Sequence, residues 1–265
     1  MQRAARRSDI WLMPFGAIIL IAWLMLAFGG SVFSLPAVCS AETWNALPLS
    51  VSLDLARVSN TFVQLLLGWA LMVMAMMLPR ALVPLWHVRE RSFARQRAPS
   101  MLLFVAGFVA VWMTAGVILE MAAWLLRWAV PVAFAGFALA GAIALVWQVS
   151  PAKQWCLNRC HQRPPLAAFG MAADLDAFRF GLKNGAACAG GCWALMLPML
   201  LIGQGQLVAM VVVTLFGFAE SLENPARLAW RWRGGGKPLR ILAARRHCVS
   251  PISSPLRAGF LSIPP

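Results

Sequence analysis

The stretch "FVQLLLGWALMVMAMMLPRALVPLWHVRER", Phe62 to Arg91, decides how the rest of the chain is read. It begins as an apolar run, meets Pro79 and Pro84, and closes on Arg89, Glu90 and Arg91. A helix that crosses a bilayer needs about 20 mostly apolar residues. Phe62 to Leu78 comes close to that length and can continue toward Trp86, with the two prolines bending or ending it. The basic cluster behind it is what the cytoplasmic end of a span carries.

The same pattern recurs outward from this stretch. Ile10 to Gly30 is the first run, Ser100 to Leu125 the third and Trp128 to Val149 the fourth. Gly185 to Ile202 is the fifth and Leu207 to Ala219 the sixth, joined by the turn "GQGQ", Gly203 to Gln206. The first run has a basic front like a signal peptide, but it is longer than an h-region and no clear cleavage site follows. The expected fold is therefore all-α, a polytopic membrane helix bundle of about six transmembrane helices.

Six crossings put both termini on one side. Of the 23 lysines and arginines, all but Arg57 and Arg127 then fall on that side. The positive-inside rule makes it the cytoplasm. A chain that is 61% hydrophobic and 12% charged does not read as a soluble globule, since such domains run about 45–50% apolar and about 25% charged. The net charge of +14 is accounted for by topology, which removes nucleic acid as a partner. Residues 1–225 form the expected transmembrane domain, with a cytoplasmic loop over 150–184. Residues 226–265 form a basic tail, expected to be flexible. The external segment Ser31 to Thr61 is too short for a domain, and its Cys39 has no partner on that side. No internal repeat supports an inverted-repeat transporter.

With this orientation, sulfur from separate segments gathers at one depth. Cys156, Cys160 and His161 lie in the cytoplasmic loop. Cys188, Cys192 and Met196 form an i, i+4 stripe in the first turns of the fifth span. Met72, Met74, Met76 and Met77 lie in the cytoplasmic half of the second. Met is also a common filler of apolar interiors, and a lone Cys behaves as a small hydrophobe. Two Cys pairs at four-residue spacing beside a histidine argue for more than packing. Thiolate and thioether donors favour Cu(I). Zinc remains open as the alternative, since Cys156, Cys160, His161 and one span cysteine make four ligands of the right kind. His247 and Cys248 in the tail read as incidental. Glu120 is expected to reach water at the external end of its span. Glu220 and Glu223 close the sixth span, where capping and a salt bridge to an arginine are the expected roles. Gly181, Gly185 and Ala189, and likewise Gly136 and Ala140, read as close-packing faces.

The segments "GWALMVMAMMLP" (Gly68 to Pro79), "PAKQWCLNRC" (Pro151 to Cys160) and "GLKNGAACAGGCWALMLPML" (Gly181 to Leu200) resemble one bacterial family. These are the predicted metal-binding integral membrane proteins, sometimes labelled copper chaperones. The resemblance covers about residues 62–225. It implies Met72, Met76, Met77, Cys156, Cys160, Cys188 and Cys192 as candidate ligands. Three departures stand out. Gly191 occupies the place of a family cysteine, Glu223 is followed by Asn224 where the family often has lysine, and Arg80 follows Pro79 where a small residue is expected.

The expected function is a bacterial inner-membrane, multi-pass protein that binds Cu(I) near the cytoplasmic face. Cys188 and Cys192 are the core ligands and Cys156 and Cys160 capture ligands on the loop. Met72, Met76, Met77 and Met196 are relay or supporting donors, with His161 beside them. Its partners are the lipid bilayer, the metal ion and a metal-donating or metal-accepting protein. No catalytic constellation is present, so no enzyme is expected. The alternatives are a non-metal membrane assembly subunit and a metal transporter.

Overall fold

The apolar runs become helices, and most of those helices extend beyond the runs that announce them. The computed structural model describes residues 13–32, 61–130, 132–202 and 205–232. Among these residues there are seven helices and no strand. In order they are α1 (Met13–Val32), α2 (Thr61–Arg91), α3 (Arg97–Ala129), α4 (Ala133–Val149), α5 (Pro151–Cys160), α6 (Gly170–Leu201) and α7 (Gln206–Ser221). Cys39, His247, Cys248 and both termini lie outside the described residues.

The expected six spans are reduced by this geometry. Three helical segments are singly long and apolar enough to cross a membrane: Leu66–Arg91, Arg97–Ala129 and Gly170–Leu201. The pair α4 and α5 qualifies together, across a bend of 65°, which would make a fourth. The remaining runs form the shorter apolar helices Pro14–Phe28, within α1, and Gln206–Ser221. The 16 residues of α7 rise about 24 Å, short of a hydrocarbon core of about 30 Å.

Neither Pro79 nor Pro84, expected to bend or end the second run, ends α2. The helix runs unbroken through Pro79 and Pro84 to Arg91. Pro79 has no N–H to give Ala75 O, four residues earlier. The indole Nε1 of Trp23 on α1 donates to that carbonyl at 3.1 Å and supplies a replacement. Prolines persist in membrane helices when neighbours satisfy the freed backbone in this way.

The segment 150–184, expected as a loop, is largely helical and holds α5 and the first half of α6. Charged Asp174, Asp176, Arg179 and Lys183 hide this helix from a search for apolar length. Its buried face is periodic all the same: Ala173, Ala177, Phe180, Gly181, Asn184, Gly185 and Cys188. α6 is the hub, packed along α3 most extensively and touching α2, α4, α5 and α7 as well. Glycines set the α3–α6 distance. A Cβ on Gly181 would stand 2.2 Å from Phe104 O, and one on Gly107 would stand 2.6 Å from Phe178 O. Gly181 and Gly185 thus pack closely as expected, whereas Gly136 meets nothing nearer than 3.8 Å. The outward faces carry large apolar side chains, among them Leu102, Ile118, Phe134, Val208 and Leu215.

Beyond α7 the chain turns back over α5. Asn158 holds Ala226 by two hydrogen bonds, Nδ2 to the carbonyl at 2.8 Å and the Ala226 N–H to Oδ1 at 3.1 Å. Arg231 N donates to Val149 O at 3.1 Å. The first residues of the basic tail are therefore docked on the body.

Candidate functional site

Cys188 and Cys192 lie one turn apart on α6, both buried. They share one buried cluster with Met72, Met76, Met77 and Met196. Cys160 packs against its edge. The helical spacing explains the grouping. Met72 and Met76 stand on one face of α2, and Cys188, Cys192 and Met196 on one face of α6.

α5 brings the second thiol pair to α6. Ser150 caps it, its hydroxyl accepting from Lys153 N at 3.2 Å, and Pro151 stands in its first turn, where a missing N–H costs nothing. The 65° bend after α4 folds α5 back onto α6. Cys156 then seats on Gly190, which stands on the face of α6 turned away from Cys188 and Cys192. A Cβ on Gly190 would lie 2.6 Å from Cys156 Sγ, so only glycine leaves room for this contact. Gly191 has only Leu157 within 4 Å, at 3.9 Å. Trp147 of α4 adds a tie to the same turn, its Nε1 donating to Gly190 O at 3.0 Å. Cys192 is the common electrostatic neighbour of Cys156, Cys160 and Cys188.

His161 is placed differently. Its Nδ1 faces Leu157 O at 2.8 Å and its Nε2 faces Ser221 O at 3.1 Å. Both ring nitrogens are engaged by carbonyls, so the ring ties the end of α5 to the end of α7. Among the described residues, no three His, Cys, Asp or Glu side chains gather as a group able to hold one metal ion. The close donor pair is Cys188 with Cys192.

Charged residues complete the site: Arg80 and Lys153, which the sequence did not mark as members of it, and Glu220, which it placed near the thiols. Arg80 of α2 donates through Nη1 to Cys192 Sγ. It lies beside Gly217 of α7, whose Cβ would be 3.2 Å from the same nitrogen. Lys153 and Glu220 are fully buried and pair at 2.7 Å. The expected arginine partner of Glu220 is thus a lysine. Gln148 bridges the two, donating to Glu220 Oε1 and accepting from Lys153 Nζ. The other oxygen, Glu220 Oε2, is buried and has no hydrogen-bond partner among the described residues. A signal was present for Arg80, since an ionisable residue within an apolar run marks function by default. Its position near other arginines led it to be counted as a flanking charge. Lys153 gave no such signal, because it lies in a polar stretch and becomes buried only through the fold.

With the geometry in place, comparison with known proteins adds one match. A family model described as Copper chaperone matches residues 66–238, which takes in every helix from α2 to α7. Neither a curated protein nor a solved structure matches the chain.

Proposed function

Because the chain belongs to this copper-chaperone family, we propose that it binds Cu(I) within a membrane bundle and delivers or holds the ion. Cys188 and Cys192 are the core ligands. The observation that carries the reading is the burial of these two thiols, one turn apart on α6, inside a cluster of methionines. Two thiols with thioethers nearby suit a low-coordinate soft ion, whereas structural zinc takes four Cys or His ligands. Cys156 and Cys160 on α5 serve as capture ligands. Met76, Met77 and Met196 offer weaker donors along the core, with Met72 one turn further on.

The bundle is a multi-pass protein of a bacterial inner membrane. The apolar outward faces and the three long apolar helices support this. The basic residues from Arg89 to Arg97 and from Arg227 onward then face the cytoplasm. The shorter α1 and α7 cross where the bilayer is locally thinned against the longer helices. The role is metal handling without catalysis, and a donor or acceptor protein docks at the cytoplasmic side.

Metal analysis of the purified chain in detergent under reducing conditions tests this. The wild type retains about one Cu(I) per chain at the single two-thiol site. Cys188→Ser and Cys192→Ser each lose it. Equal copper in wild type and the double serine variant overturns the reading.

A further inference from the structure

We propose that Arg80 selects the charge of the bound ion, its guanidinium balancing two thiolates that hold one monovalent soft cation and disfavouring a divalent cation at the same pair. This rests on Cys188 and Cys192 being ligands, as proposed above. The argument begins with the fixed charges around them. Those acting on Cys192 are Arg80, Lys153 and Glu220. Lys153 and Glu220 neutralise each other at 2.7 Å. Arg80 remains as the unbalanced charge, and it alone of the three hydrogen-bonds a ligand sulfur.

The balance follows from simple counting. Thiols bind metal as thiolates, and an arginine in a protein does not give up its proton. Two thiolates and a monovalent ion carry one net negative charge, which Arg80 cancels. Two thiolates and a divalent ion are already neutral, so the guanidinium is left uncompensated in buried surroundings. A buried charge without a partner is costly.

The surroundings also give Arg80 somewhere to turn when an ion occupies the sulfur. Glu220 Oε2 is buried and has no hydrogen-bond partner among the described residues. Glu220 stands three residues beyond Gly217 on α7, one helical turn along, and Arg80 already lies against Gly217. Arg80 and Glu220 interact electrostatically in this arrangement. The guanidinium can therefore rotate from Cys192 Sγ toward the carboxylate while staying in the cluster. The free oxygen has a use in the loaded state that it lacks in the empty one.

The test compares Cu(I), Ag(I) and Zn(II) affinities of the full chain in detergent, under reducing conditions, by competition with chelators. The wild type prefers Cu(I) and Ag(I) to Zn(II). Arg80→Gln reduces that preference on the order of a hundredfold, the scale of leaving a buried ion pair broken. Monovalent binding weakens and Zn(II) binding strengthens. Arg80→Lys, which keeps the charge, retains most of the preference. Should Arg80→Gln fail to fold, Glu220→Gln gives the opposite shift, because Lys153 then adds to the positive charge and Zn(II) binding falls relative to Cu(I).

Equal changes in all three affinities on Arg80→Gln make Arg80 merely structural and overturn the proposal. So does an Arg80→Lys protein that behaves like Arg80→Gln, or an unchanged ratio in Glu220→Gln. If copper is lost in the Cys188→Ser and Cys192→Ser proteins but the ratio ignores Arg80, only this proposal falls. If the wild type binds no monovalent ion, the metal reading falls with it.

Discussion

At the scale of single residues, the site depends on small groups that leave room and on charged groups that pair in the interior. Gly190 is an example of the first. Replacing it with alanine puts a Cβ 2.6 Å from Cys156 Sγ and drives α5 outward. Gly190→Ala is expected to weaken copper retention while Gly141→Ala, which meets nothing within 4 Å, leaves it unchanged; copper content after gel filtration reads the difference. The pair Lys153 and Glu220 exemplifies the second. Breaking a buried ion pair by removing one partner costs about 3–5 kcal/mol, while removing both together costs little. Lys153→Met alone should therefore lower the thermal transition sharply, and Lys153→Met with Glu220→Leu should recover most of it. A double variant no more stable than the single would show that the two do not act as a pair. The methionines and cysteines were legible from spacing alone. Arg80 and Lys153 were visible as residues but not as neighbours, because their partners are remote in sequence.

At the scale of the helices, what determines contact is the close approach of backbones. α3 and α6 meet where glycines bring Phe104 O and Phe178 O against bare Cα atoms. Gly181→Ala forces those backbones apart, since the atom it strikes at 2.2 Å is a carbonyl that cannot rotate away. Overpacking of this kind costs about 1–3 kcal/mol, and detergent denaturation should report a loss of that size. The apolar stretch of α6 was readable from residue 185 onward. Its first half was not, because Asp174, Asp176, Arg179 and Lys183 interrupt the hydrophobic length while leaving the 3–4 periodicity of the buried face intact. Periodicity would have found it where length did not. α2 presented the reverse case. Its prolines argued for a break, and the repair comes from Trp23, which lies on another helix and so escapes any local reading.

At the scale of the whole molecule, the bundle joins α2, α5, α6 and α7 around one polar cluster in an otherwise apolar body. The all-helical class was plain from composition. The number of crossings was not, because run length in a sequence does not fix helix length or the bend between α4 and α5. The orientation can be measured directly. A phosphatase reporter inserted within residues 31–60 should be active, which requires export, and one fused after residue 232 should be inactive. The opposite pattern would reverse the bundle and move the thiols to the external face.

The separation of Lys153 from Glu220 along the chain carries a consequence for biogenesis. The lysine leaves the ribosome before α7 exists, so its counter-ion is missing while α5 is first made. An unpaired ammonium is costly in an apolar interior, so α5 is expected to dock only after α7 has been made. The seating of Cys156 on Gly190 is thus expected to be among the last contacts made as the chain is assembled.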